Sequence, residues 1–264
     1  MFYSASNEEL TQQITDCVRH KLGPKDGSFK GDIIGAVVPH AGYVYSGPIA
    51  AHVYKAISET DINTFIILGP NHTGLGSAVS VVTKGHWMTP LGNAEINTKL
   101  AKEIVEHSDV CEEDDIAHIK EHSIEVQIPF LQYFIKTFTF VPICIMVQNL
   151  FIAKSLGATL GTICKNKKIM ILASSDFTHY EPKTVATQKD SAAIEHLLRL
   201  DPDSFFKEVT TKKLSICGFG PIITLMYALK EMGVTKAHLL KYATSGDVHE
   251  MRDVVGYAAI VFEK

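Results

Sequence analysis

With 264 residues, 46% of them hydrophobic and 20% charged, the chain carries enough apolar material for one large core, and a single domain over residues 1–264 is expected. A net charge of -4, from 25 Lys and Arg against 29 Asp and Glu, offers no positive field to phosphate backbones, so nucleic acid is excluded as a partner. No apolar run nears the roughly 20 residues of a membrane helix, and residues 1–9 lack the basic and apolar regions of a signal peptide, which predicts a cytoplasmic protein without membrane contact.

From the N-terminus, Ser6-Asn7-Glu8-Glu9 reads as a capping box, and Leu10, Ile14 and Val18 recur every four residues, predicting a helix over 7–21. The continuous run Ile33–Val38 has the pattern of a strand covered on both faces, and it empties into a loop rich in His, Gly and Tyr. Ser46 or Gly47 is expected to cap a second helix with Pro48 at its first position. A strand over 64–68 and a second histidine loop follow. Strand, helix and strand in that order form a βαβ unit, whose parallel strands release both loops at one sheet edge.

Further along, a strand is expected over 78–83, an ordered loop over 85–92 and a helix over 94–107. The acidic stretch 111–115 lacks the alternating oxygen ligands of a calcium loop and reads as a solvated turn. Residues 121–131 read as helical, with Glu121 and Glu125 one turn apart beside His122 and a kink at Pro129. Two readings of that face stand: exposed ion pairing, or side chains turned into a cleft. Strands over 140–147, 168–173, 238–243 and 256–262 alternate with helices over 151–165, 183–200, 202–210 and 221–232. The pattern is an α/β fold, a largely parallel or mixed central sheet flanked by helices.

The five cysteines are odd in number and free of any CxxC pair, which argues against a disulfide framework or a zinc ribbon. Cys144 falls within an apolar strand and reads as a small core residue, whereas Cys217 sits in the turn Ser215-Ile216-Cys217-Gly218, where a following helix N-terminus stabilises a thiolate. In a parallel sheet, ligands lie beyond the carboxyl ends of the strands. His40, His72, Asp176, His179 and the turn Thr244-Ser245-Gly246-Asp247 all fall there.

One such histidine is most simply a hydrogen-bonded structural residue; several at equivalent positions point to a site. His40, His72 and Cys217 together make an open three-ligand set whose softness suits iron(II), copper or zinc. Asp176 and His179 then hold a ligand imidazole or move a proton. Tyr43, Tyr45, Phe177, Tyr180 and Phe219 suggest an aromatic wall. Two other uses stand beside this one: a module binding a peptide or anion through Ser46 and the helix start near Pro48, and Cys217 as a nucleophile with His179 as its base.

The segments Pro39-His40-Ala41-Gly42-Tyr43, Gly69-Pro70-Asn71-His72, Thr89-Pro90-Leu91-Gly92, Glu121-His122-Ser123-Ile124-Glu125, Ser174-Ser175-Asp176-Phe177 with His179, and Cys217-Gly218 resemble the motifs of the Memo family (mediator of ErbB2-driven cell motility) over nearly the whole chain. That family is similar in fold to LigB-type class III extradiol dioxygenases, in which two histidines and a carboxylate hold iron. The resemblance implies His40, His72 and Cys217 at the metal positions, with the thiolate standing where a carboxylate is expected, and Asp176 and His179 as the catalytic residues. The side chains expected to meet a small-molecule or peptide ligand are Tyr43, Tyr45, Ser46, Glu121, His122 and Glu125. The resemblance further implies iron- or copper-dependent redox chemistry, phosphotyrosine-peptide binding as an alternative, and AMMECR1-like and radical SAM proteins as partners.

Overall fold

A computed structural model describes residues 2–264. Ser6 caps the first helix, α1 (Asn7–Arg19), by accepting from the Glu9 amide. The Glu9 carboxylate does not return to the cap: it accepts from Ser4 Oγ at 2.6 Å, and Ser4 Oγ in turn takes the Ser6 N–H, so the expected box opens into a relay. Strand β1 (Ile33–Val38) is buried at every position, as its uninterrupted apolar run requires. Helix α2 (Tyr43–Ile57) starts at Gly42 rather than at Ser46 or Gly47, leaving Pro48 inside the helix. Ser46 Oγ, instead of capping, donates to the Ala41 carbonyl at 2.8 Å.

The next strand is β2 (Thr64–Pro70), followed by the short β3 (Val79–Val81). The expected loop over 85–92 is a hairpin, β4 (His86–Thr89) and β5 (Gly92–Ile96), which shortens the following helix to α3 (Thr98–His107). Beyond the edge strand β6 (Glu112–Glu113), residues 121–131 do not form one helix. Glu121 lies in a turn, Glu125–Gln127 is a single tight turn, and α4 (Ile128–Phe134) begins with Pro129 in its first turn, where a missing N–H costs nothing. Then come β7 (Thr139–Ile145), α5 (Leu150–Cys164), β8 (Met170–Ser174), the unforeseen β9 (His179–Pro182), α6 (Lys183–Leu198), α7 (Pro202–Lys212) and α8 (Phe219–Met232). The chain closes with β10 (Lys236–Thr244), the one-turn α9 (Ser245–Val248) and β11 (Asp253–Glu263).

The central sheet runs β10-β11-β1-β8-β2-β7-β3-β6. β1, β8, β2 and β7 are mutually parallel, while β11 lies antiparallel to β1 and β3 antiparallel to β7, so the α/β fold is mixed around a parallel middle. β1 and β2 are parallel as expected but not adjacent: β8 fills the gap between them. Successive β2 residues feed opposite cores, Phe65 and Ile67 joining the layer under α1, α2 and α4, Ile66 and Leu68 the layer under α5 and α8. Among the described residues no helix is long and apolar enough to cross a membrane.

Candidate functional site

The three central parallel strands deliver the site. β1 ends at Val38 and its chain turns through His40; β8 ends at Ser174 with Asp176 two residues on; β2 ends at Pro70 with His72 two residues on. The shared direction of these strands brings the His40 and His72 ring centroids within 5.3 Å. His122, from the turn before α4, stacks on His72 at 4.7 Å and meets His40 edge-on at 5.5 Å. One ring nitrogen from each of the three lies within 4.8 Å of the others, a cluster that could hold a metal ion.

Hydrogen bonds decide which nitrogens are free. His40 is only 2% exposed, and its Nδ1 lies 2.9 Å from Ser174 Oγ. That hydroxyl already donates to the Ser123 carbonyl at 2.6 Å, so it accepts from His40, which puts the proton on Nδ1 and the lone pair on Nε2. Gln127 braces the same hydroxyl: its Nε2 donates to Ser174 Oγ at 2.8 Å and to the Pro39 carbonyl at 3.0 Å, while Tyr54 OH donates to its Oε1.

His72 Nδ1 sits 2.9 Å from Glu121 Oε1, and the same carboxylate accepts the backbone N–H groups of His72, His122 and Ser123. Burial pushes the Glu121 carboxyl upward, but the His72 side chain and the backbone donors outweigh it and hold the group at about 2. An ionised Glu121 can only accept, so the His72 Nδ1–H donates to it, and His72 Nε2 has no hydrogen-bond partner among the described residues. Burial first, then the neighbouring His72 and His122, keep His40 well below the usual histidine value and therefore neutral, as a ligand must be.

Cys217, half-buried just ahead of α8, places Sγ 3.2 Å from His40 Nε2 and accepts from the Asp176 N–H at 3.3 Å. The expected thiolate stabilisation by the helix start does not prevail. Burial, and then the Asp176 carboxylate, push the thiol well above its ordinary value, so drawing out the thiolate takes a cation beside Sγ. Asp176 is itself raised to about 6 by burial, against the pull of the His40 N–H, which it accepts at 2.8 Å. His179 donates Nδ1–H to the Ser215 carbonyl at 2.7 Å, which orients its ring and leaves Nε2 as a proton acceptor. His40, His72, His122, Asp176, His179 and Cys217 line one cavity of about 510 Å³.

Other sequence candidates lie elsewhere. Tyr43 is core, its OH bonded to the Val126 carbonyl at 2.6 Å; Phe177 is fully buried; Phe219 packs on Phe206; Tyr45 turns edge-on to His249. Of the five expected wall aromatics, Tyr180 alone lines the cavity, from an exposed position with φ +56. Glu125 takes the Tyr3 hydroxyl. The 244–247 turn closes on itself through a Thr244–Asp247 capping box and an ion pair to Lys183. Sequence reasoning missed Phe2, whose ring stacks on His122 at 4.1 Å, and the bracing pair Ser174 and Gln127. Ser174 and Gln127 lie within or beside motifs already singled out, so polar residues at a strand end and after the Glu-His-Ser turn were the available signal. Phe2 has none, since the bond from Tyr43 N–H to the Phe2 carbonyl that seats it is a tertiary contact.

Parallel strands releasing hydrogen-bonded imidazoles into one cavity define a class: α/β proteins with a strand-end histidine centre. The family described as Memo-like protein matches residues 1–261, and the chain belongs to that family. It is 46% identical to a MEMO1 family protein of Methanopyrus kandleri over 272 residues, covering 100% of this chain and 96% of the relative. A MEMO1 family protein of Pyrobaculum aerophilum is 44% identical, with 99% and 95% covered, and one of Nitrosopumilus maritimus is 43% identical, with 99% and 96% covered. Among solved structures, uncharacterized protein JW3007 from Escherichia coli K12 superposes with a TM-score of 0.61 at 13% identity, over 88% of this chain and 100% of that one, a likeness of fold alone.

Proposed function

We propose that the protein is a metal-dependent redox protein whose ion, iron or copper, is held by His40, His72 and Cys217. The observation that supports a metal centre is the convergence of ring nitrogens from His40, His72 and His122 within 4.8 Å; Cys217 is not in that group, and its claim as third ligand rests on Sγ lying 3.2 Å from His40 Nε2. The donor set fits such an ion: Ser174 and Glu121 fix the Nδ1 atoms of His40 and His72, and a cation there supplies the charge that the Cys217 thiol needs to ionise. When bound, the ion supplies one-electron chemistry and a Lewis-acidic face.

The chain's own residues do the rest. Ser174 and Gln127 hold the His40 ring, Glu121 holds His72, and Asp176 grips the His40 backbone. His122 has no close hydrogen bond at Nδ1, which lies 3.5 Å from Glu121, so it is the histidine free to meet a bound molecule. His179 Nε2 accepts a proton at the cavity wall and the Ser215 carbonyl keeps its ring in place.

Metal analysis after anaerobic purification tests the reading. Wild-type protein and His122→Ala are expected to carry one equivalent, while His40→Ala and Cys217→Ser lose it. Wild type without metal, or Cys217→Ser fully loaded while His122→Ala is empty, contradicts the assigned ligands.

A further inference from the structure

Behind the cavity wall lies a carboxylate that the proposed function does not use. Asp190, on α6, is fully buried, and among the described residues no lysine, arginine or histidine forms an ion pair with it. Burial raises its carboxyl above the ordinary value, against the Thr178 and Tyr242 donors that pull it down. A buried carboxylate without a countercharge weakens a fold unless its oxygens are engaged.

Both oxygens of Asp190 are engaged, and what they hold leads to the site. Oδ1 accepts the Thr178 N–H at 3.0 Å, and Oδ2 accepts the Tyr242 hydroxyl of β10 at 2.7 Å. The carboxylate lies against β11 at Gly256, where a Cβ would stand 1.9 Å from Oδ2, so only glycine leaves room for it there. Gly256 grips the same segment: its carbonyl accepts the Phe177 N–H and its N–H donates to the Thr178 carbonyl, both at 2.9 Å.

The segment held in this way ends one residue short of His179. Beyond it β9 carries an extra residue against β11: Val254 pairs with Glu181 and Val255 with His179, which leaves Tyr180 unpaired at φ +56, a left-handed backbone that aromatic residues rarely adopt. A bulge re-aims the side chains beside it. The direction of the His179 ring is therefore set from two sides, by the bulge after it and by the Asp190 and Gly256 contacts before it.

We propose that Asp190 is a positioning residue for His179: through the space left by Gly256 it fixes the Thr178 backbone, and so holds the imidazole with Nδ1–H on the Ser215 carbonyl and Nε2 left for the cavity. The proposal rests on the reading of His179 as the proton acceptor at the cavity wall, and it is independent of the metal.

Long-range 1H–15N spectra of the imidazole nitrogens, recorded on metal-free protein, test it. Wild type is expected to show the His179 proton on Nδ1 alone. Asp190→Ala is expected to give a mixture of the two tautomers, as is Gly256→Ala, which displaces the carboxylate without removing it. Asp190→Asn keeps an oxygen for the Thr178 N–H and is expected to retain the wild-type signals. His40, braced separately by Ser174 and Gln127, is expected to keep its Nδ1 proton in every variant, which a general loosening of the fold would not allow. A His179 unchanged in folded Asp190→Ala or Gly256→Ala overturns the proposal, as does a His40 that changes along with it or an Asp190→Asn that behaves as Asp190→Ala. Should neither alanine variant fold, Asp190→Glu takes their place: one methylene longer, it cannot occupy the space at Gly256 without moving Thr178, so the mixture is expected again and an unchanged His179 overturns the proposal. A mixture of tautomers already in wild type removes the fixed proton acceptor at the cavity wall and the proposal with it, while failed metal uptake with the predicted tautomer pattern removes the metal reading alone.

Discussion

At the scale of single residues, the account turns on two hydrogen bonds that set imidazole tautomers. Ser174→Ala removes the only acceptor of His40 Nδ1–H and one of two partners of Gln127 Nε2, so it is expected to cost about 1–3 kcal/mol of stability and to weaken metal binding by about 10–100-fold. Long-range 1H–15N spectra of the imidazole nitrogens check the cause: wild-type His40 should show its proton on Nδ1, and the variant a mixture. Glu121 makes a pH prediction. Its folded value of about 2 lies below the ordinary 4.5, so its stabilisation is complete above pH 4.5 and is lost as pH falls toward 2, about 3 kcal/mol in all. In acid titrations followed by circular dichroism, Glu121→Gln should be less stable at pH 7 and lose less between pH 4.5 and 2; parallel curves for the two proteins contradict this. The sequence marked His40, His72, Asp176, His179 and Cys217 because each is a reactive residue after an apolar run. It did not mark Phe2 or the brace on His40, which depend on side chains meeting across the sheet, Ser174 standing 134 positions beyond His40, or across the N-terminal fold-back.

At the scale of elements, the parallel middle of the sheet was the most legible part, because strands buried on both faces announce themselves as unbroken apolar runs: Ile33–Val38 is β1 residue for residue. The β4 and β5 hairpin was not, since its outward side chains are polar or exposed and four or five alternating positions between glycines look like a loop. The stretch 121–131 misled by its spacing. Its charged residues lie in a turn that wraps the His72 loop, where the backbone N–H groups are satisfied by Glu121 rather than by a helix. The N-terminus of α8 closes tightly on the end of β8: a Cβ on Gly218 would stand 2.3 Å from the Ser174 carbonyl oxygen and 2.6 Å from Ser175 Cβ. Gly218→Ala must therefore push α8, and Cys217 with it, away from His40. The expected cost is about 1–3 kcal/mol, read as a lower urea midpoint, together with weaker metal uptake; an unchanged midpoint would show that the helix start yields freely.

At the scale of the whole molecule, the proposed ligands come from the ends of β1 and β2 and the segment before α8, parts of the chain that only the folded sheet assembles, so the proposed metal binding would be linked to folding. Metal at about 100 times its dissociation constant is expected to add about 2.7 kcal/mol to stability, seen as a rise in Tm that chelator reverses and that His40→Ala does not show. The fold carries such a centre in a general way: a mixed sheet with a parallel middle collects loop residues from distant strands at one edge, and two helical layers keep those loops in register. The most direct test of the proposed centre is an anaerobic titration with cobalt(II), watched in the near ultraviolet, where thiolate-to-metal charge transfer absorbs. The predicted result is a band that grows to one equivalent and is absent from Cys217→Ser. A titration with no saturable uptake, or uptake with the same spectrum in both proteins, would contradict a centre built on His40, His72 and Cys217.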